Sequence, residues 1–337
     1  MTGLVAEVLS GSRRAVARLL TLIENDRPGA ADALAALYPH TGRAWIIGVT
    51  GAPGTGKSTL VSALAAAYRA RGQQVGIIAV DPTSPFTGGA ILGDRIRMRD
   101  LSGDSGVFIR SMATRGSLGG LARSARDAAR VLDAAGFDVV MIETVGAGQN
   151  EVDIVRAAYT TLVVEAPGMG DEVQAIKAGI LEIADLLILN KADRPGAAQT
   201  LRALRTMLEL GHPTRSAGAV GHHGAGALRS GSDSAPIDGE MWLPPIVQTV
   251  ASEGTGIDEV MTVIAQHRVF LSAAGRRARL EGGQIALEVR DRLREALLTR
   301  LLRQVSSESI DSMVERIQAR QIDPGRAVES LLATVDL

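Results

Sequence analysis

The chain has 337 residues, a formal net charge of −1 from 36 basic and 37 acidic side chains, and 46% hydrophobic content of which little is aromatic. That balance offers no basic surface for nucleic acid, and the lack of cysteine excludes disulfides, thiolate metal sites and cysteine nucleophiles. No apolar run can span a bilayer and MTGLVAEVLSGSRRAVARLL lacks the sustained apolar core of a signal peptide, so a cytoplasmic protein without a membrane partner is expected.

Leu4, Val5, Leu9, Val16, Leu19, Leu20 and Ile23 recur at helical spacings, which predicts one or two amphipathic helices in a leading extension over 1–42. From 43 to 270, strand-like runs alternate with helical ones: AWIIGVT (44–50), QVGIIAV (74–80), GVFIRSM (106–112), DVVMIET (138–144), TTLVVEA (160–166), ADLLILN (184–190) and PPIVQTV (244–250). Alternation of this kind predicts an α/β domain whose mostly parallel sheet is flanked by helices, with ligands at the carboxyl ends of the strands. Within it, residues 211–240 are rich in Gly, Ser and Ala and keep no period, so a surface loop is expected there. His222 and His223 lie in that loop without the spaced partners a metal site needs. Residues 271–337 return to helix, with Ser307 as a cap and Asp323-Pro324-Gly325 separating the last two helices. Leu297, Leu298, Leu301 and Leu302 form an apolar stripe among Arg and Glu, which points to a homodimer.

GAPGTGKST fills the first strand-to-helix junction and fits G-x-x-x-x-G-K-[ST]. Gly51, Ala52, Pro53, Gly54, Thr55, Gly56 and Thr59 supply a backbone cradle for phosphates, Lys57 reaches the β/γ-phosphates and the Ser58 hydroxyl holds Mg²⁺. The base is read further on. Asn190-Lys191-Ala192-Asp193 ends a strand, and the Asp193 carboxylate can accept from guanine N1–H and the 2-amino group, donors that adenine lacks. The Lys191 stem covers a face of the base. After the last strand, Ser252, Glu253 and Gly254 offer backbone N–H groups to guanine O6, so GTP/GDP is expected rather than ATP.

Glu143 ends the strand DVVMIE, where a carboxylate would hold Mg²⁺, and Gly146 follows with an N–H for the γ-phosphate. Asp81 at a strand end and Asp94 after a Gly-rich loop are further candidates for the cation or its waters, and Gln149 is a candidate for orienting the attacking water.

With these residues assigned, VDPTSPFTGGAILGDRIRM, IRSMATRGSLGGLA, IETVGAGQNEVD and APGMGDEVQAIKAGILEIADLLILNKAD, in this order with the P-loop, resemble the MeaB/ArgK family. The resemblance spans residues 8 to 330, and the SMATRG and ETVGAGQ blocks are far more specific than the P-loop alone. It implies a homodimeric GTPase chaperone whose cycle gates adenosylcobalamin delivery to methylmalonyl-CoA mutase and protects that enzyme; the human member serves the same B12-dependent enzyme. It also places Mg²⁺ and nucleotide handling on Ser58, Asp81, Asp94 and Glu143, and makes Gly168–Gly179 a mobile segment coupling the GTP site to the partner. Lys177 in that segment would move toward the phosphates when the client orders it. One departure is the 211–240 loop, which is longer than usual. Two other readings compete: a metal-insertion accessory GTPase, disfavoured by the missing Cys and spaced His ligands, and a transport-system ATPase or kinase, disfavoured by NKAD.

Overall fold

The computed structural model describes residues 2–81, 101, 103–113, 120–144, 157–168, 183–211 and 241–333. They divide into two compact units, Met1–Arg276 and Arg277–Leu337.

The first unit is built on a seven-stranded sheet: β1 Trp45–Thr50, β2 Val75–Asp81, β3 Val107–Ala113, β4 Val139–Thr144, β5 Thr160–Glu165, β6 Leu186–Asn190 and β7 Ile246–Thr249. The order is β3-β2-β4-β1-β5-β6-β7 and every neighbouring pair is parallel. The α/β P-loop architecture expected from the alternation is therefore the observed one. Its cause is burial on both faces: β4, β5 and β6 are buried at every residue, which is why they read as unbroken apolar runs. Strands β4 and β5 flank β1 on opposite sides, so the chain order reverses at β1 and a crevice opens beyond its carboxyl end.

Three helices, not one or two, precede the sheet: α1 Thr2–Leu9, α2 Arg13–Glu24 and α3 Ala30–Leu37. The third, AADALAAL, is alanine-rich, so its buried face of Ala30, Ala33 and Leu37 leaves a weak apolar signal in the sequence. Val8, Val16, Leu19 and Leu20 of α1 and α2 share one core with Leu132 and its neighbours on α5 (Gly120–Ala134) and with Ile78 and Ile142 of the sheet. Among the described residues, the other α-helices of this unit are α4 Lys57–Ala70, α6 Ala197–Gly211 and α7 Ile257–Ser272.

At the amino-terminal end of the sheet, polar groups are saturated by the fold. The Asp133 carboxylate accepts from the amides of Gly42, Arg43 and Ala44 at 2.5, 3.1 and 2.8 Å, pinning the end of α5 to the entry of β1. Trp45 Nε1 donates to Thr160 Oγ1 at 3.0 Å, and Thr160 Oγ1 in turn lies 3.0 Å from His267 Nδ1. Burial pushes the His267 imidazole down to about 4, although the Asp185 carboxylate lies 3.5 Å from Nε2.

The second unit holds most of α8 Arg276–Gln304, together with α9 Ser307–Gln318 and α10 Pro324–Leu332. The cap of α9 is Ser306 and not Ser307: Ser306 is extended and its hydroxyl accepts from the Ser309 amide at 3.1 Å, while Ser307 is already in the first turn. Asp323 caps α10 through the amides of Gly325 and Arg326, with Pro324 in the first turn. Along α8, Ile285, Val289, Leu293, Leu297, Leu298 and Leu302 are all exposed, and Leu301 is half-buried. Among the described residues no helix is long and apolar enough to cross a membrane.

Candidate nucleotide-binding site

Where β1 ends, the chain turns through Gly51–Gly56 into α4. Two glycines are required there by the space available. A Cβ on Gly51, at φ 141°, would lie 2.1 Å from the Val164 carbonyl oxygen, and one on Gly56, at φ 96°, would lie 2.4 Å from Asn190 Nδ2. The loop therefore lies directly against β5 and the end of β6, with the amino terminus of α4 facing the crevice. Thr55 closes the turn by donating from its hydroxyl to the Ala52 carbonyl at 2.9 Å.

Lys57 is buried, and its ammonium is folded back to donate to the carbonyls of Gly51 at 2.8 Å and Ala52 at 3.0 Å. A buried cation needs such acceptors, and these belong to the loop it would help to wrap around an anion. Beside it Ser58 Oγ donates to Glu143 Oε1 at 2.5 Å, both side chains being buried. This joins the first turn of α4 to the end of β4. Together these residues form the floor of a cleft of about 470 Å³, whose walls are Pro53, Gly54, Gly56, Thr59, Ala79, Val80, Thr144 and Lys191. A hydroxyl and a carboxylate in contact are hard oxygen donors, the donor set that fits Mg²⁺.

The NKAD segment is tied to the same loop. Asn190 is buried; its Nδ2 donates to the Thr55 carbonyl at 2.8 Å, and its Oδ1 accepts from Thr249 Oγ1 at 3.0 Å and the Ala251 amide at 3.1 Å. Lys191 takes a left-handed backbone, φ 57°, and its Nζ reaches the Gly54 carbonyl at 2.5 Å. Asp193 is exposed just beyond. Ser252, Glu253 and Gly254 lie in the exposed turn after β7, where the Glu253 amide donates to the Val250 carbonyl and the Gly254 amide to that of Ala251.

The structure thus brings the P-loop, Glu143, Asn190 and Lys191 around one cleft. Asp81 ends β2, its side chain lying outside the described residues, as do Asp94, Gly146, Gln149, Lys177, nearly all of Gly168–Gly179 and residues 212–240 of the expected 211–240 loop, whose first residue, Gly211, instead ends α6. Two positions went unmarked in the sequence. Thr50 and Thr144, both fully buried at the ends of β1 and β4, are joined by a hydroxyl-to-hydroxyl bond of 3.0 Å. No linear signal announces such a pair, because it exists only once β4 is known to lie beside β1.

Comparison with known proteins follows the same outline. A family model described as methylmalonyl-CoA mutase-associated GTPase MeaB matches residues 16–306. A Pyrococcus abyssi protein with a provisional GTPase name is 44% identical over 98% of this chain and 96% of its own length. The GTPase ArgK of Escherichia coli is 35% identical over 88% of this chain and 85% of its own. Among solved structures, the crystal structure of a LAO/AO transport system kinase superposes with a TM-score of 0.69 and 26% identity, covering 98% of this chain and 96% of that one.

Proposed function

Because the chain belongs to the MeaB family of mutase-associated GTPases, we propose that it binds GTP and hydrolyses it to GDP and phosphate, and that this cycle serves a B12-dependent acyl-CoA mutase of the methylmalonyl-CoA mutase kind. The observation that carries the nucleotide reading is the bonding of NKAD to the P-loop through Asn190 and Lys191, which puts the base reader and the phosphate cradle in fixed register.

On this reading the loop amides and the start of α4 take the phosphates. Lys57 then exchanges its two loop carbonyls for phosphate oxygens, which costs no new desolvation because the cation is already buried. Ser58 and Glu143 would hold Mg²⁺, which when bound offsets charge on the β- and γ-phosphates. Asp81 and Asp94 are proposed to complete the cation's surroundings, and Gln149 to orient the attacking water. Gly146 would read the γ-phosphate, and Lys177 would bring positive charge when the client orders its segment. Asp193 pairs with the guanine edge. Guanine O6 falls to the Ser252 amide, since those of Glu253 and Gly254 are turned onto Val250 and Ala251.

The partner reading is held separately. The family's printed description names methylmalonyl-CoA mutase, and the exposed apolar face of α8 supports assembly as a two-fold dimer. Loading of adenosylcobalamin into that mutase, with protection of the enzyme, is the proposed use of the GTP cycle, and the cytoplasm its proposed place.

Asp193→Asn tests the base assignment. It replaces an acceptor with a group that can donate, so GTP affinity should fall about tenfold to a hundredfold, from roughly 1.5–3 kcal/mol, while xanthosine triphosphate gains. A wild type that binds ATP as tightly as GTP would sink the guanine assignment. Light scattering at micromolar concentration addresses assembly, a monomeric mass being the adverse result, and pulldown from extract addresses the client.

A further inference from the structure

Beside the cleft, where Thr144 is one of the walls, the Thr50–Thr144 bond is a feature to which the proposed chemistry gives no task. Main-chain pairing between β1 and β4 runs from Trp45↔Val139 to Val49↔Glu143. Thr50 and Thr144 are the next residues on each strand, where β1 departs into the P-loop. The Thr144 hydroxyl donates to Thr50 Oγ1 at 3.0 Å and thereby extends the union of the strands by one side-chain rung.

Packing alone does not call for threonine here. The neighbours in register are valines, Val80 of β2 opposite Thr144 and Val163 of β5 opposite Thr50. A valine has the same branched outline and avoids burying a hydroxyl, which costs free energy unless the hydroxyl is bonded. A hydroxyl of Thr144 donated to Thr50 at this rung fixes the spacing and twist of the strand ends more narrowly than two valines would. The residue before Thr144 is Glu143, whose carboxylate accepts from Ser58, and the residue after Thr50 is Gly51, which opens the loop leading into α4, where Ser58 lies in the first turn.

We propose that the Thr50–Thr144 hydroxyl pair is a positioning element for the divalent cation: it locks the end of β4 to the root of the P-loop and so holds Glu143 and Ser58 at one separation. The proposal rests on the reading of the cleft as a Mg²⁺–guanine nucleotide site. Neither threonine needs to touch the ion, since the effect passes through the two peptide units next to the bridge.

The test is a fluorescence titration of the full-length chain with N-methylanthraniloyl GDP, first in EDTA and then with rising Mg²⁺. Thr144→Val should raise the Mg²⁺ concentration for half-maximal tightening roughly three- to tenfold, the worth of one hydroxyl bond, while affinity in EDTA stays within about twofold. Thr144→Ser should restore the wild-type midpoint. Thr50→Val should shift the midpoint in the same direction, and the double variant should fall well short of the sum of the two single effects, because both delete the bond the two hydroxyls share. A Thr144→Val midpoint equal to wild type, additive single effects, or equal weakening with and without Mg²⁺ each overturns the proposal. A wild type whose nucleotide affinity ignores Mg²⁺ overturns the reading of the cleft beneath it, a result distinguishable because it needs no variant.

Discussion

At the entry of β1, the Asp133 carboxylate takes three backbone amides, and nothing about that arrangement can change without unfolding the corner it makes. At the exit of the same strand, Lys57 donates to two carbonyls of its own loop, acceptors that an anionic ligand can replace. Both groups are buried charges with short, well-made bonds. The difference lies in what the partners belong to. Asp133 joins a helix to a strand, so its bonds are part of the fold; the two carbonyls that Lys57 meets belong to its own loop, so those bonds hold the cation in readiness. The one sheet therefore has a saturated end and an exchangeable end, and substitutions at the two should fail in different currencies.

The largest effect is expected at the exchangeable end. Lys57→Ala removes the cation placed to offset phosphate charge, and GTP turnover at saturating nucleotide should fall about 10²–10³-fold. The melting temperature should move little, since the two carbonyls it leaves face a cleft that water enters. Unchanged turnover would take Lys57 out of the mechanism; a collapse in stability would place it with Asp133.

Asp133→Ala should do the reverse. It removes the acceptor of the Gly42, Arg43 and Ala44 amides, of which the exposed first two can turn to water while that of buried Ala44 is orphaned, so a loss of about 1–3 kcal/mol is expected. Denaturant titration measures it. GTP affinity of the folded protein should stay within about twofold, and a large affinity loss would mean that the two ends are coupled through β1.

Titration of His267 gives the saturated end a pH signature. Its folded value of about 4 lies below the ordinary 6.5, so between these limits the unfolded chain binds the additional proton. Stability is fully present above about pH 6.5 and is lost as pH falls toward 4, by up to about 3 kcal/mol at 1.36 kcal/mol per unit. In His267→Gln, which cannot titrate, that slope should flatten even though stability at pH 7 drops with the bond to Thr160. A slope equally steep in the variant would assign the acid sensitivity to other groups.

What the sequence disclosed also divides along these lines. The seven strands were legible because both faces are buried, and the phosphate loop and NKAD were legible because they depend on local spacing: glycines where a Cβ collides, an Asn at a strand's last residue. Asp133, Thr50–Thr144 and the Thr160–His267 contact were not, since each partner comes from a distant stretch and the pairing follows from strand order. Helix α3 was hidden by alanine, whose small side chain marks a buried face only faintly. The Ser306 cap was misread by one residue because Ser306 and Ser307 look alike until backbone angles separate them.

Asn190 is the exception that sharpens the contrast, for it stands at the exchangeable end and yet is held by three bonds that belong to the protein. If the distinction rests on partners and not on location, weakening Asn190 should show up in stability before it shows up in affinity. Thr249→Val is the gentlest way to ask. It keeps the branched shape of a fully buried residue and deletes the hydroxyl donated to Asn190 Oδ1, which retains the Ala251 amide. The expected loss is about 1 kcal/mol in denaturant titration, the net worth of one bond whose acceptor is still served. GTP affinity should change less than about threefold, because Asn190 Nδ2 continues to hold the Thr55 carbonyl and with it the register of the phosphate loop. If affinity instead falls tenfold with stability intact, then Asn190 works as a ligand-facing group, and the line between the two ends of the sheet must be drawn by position after all.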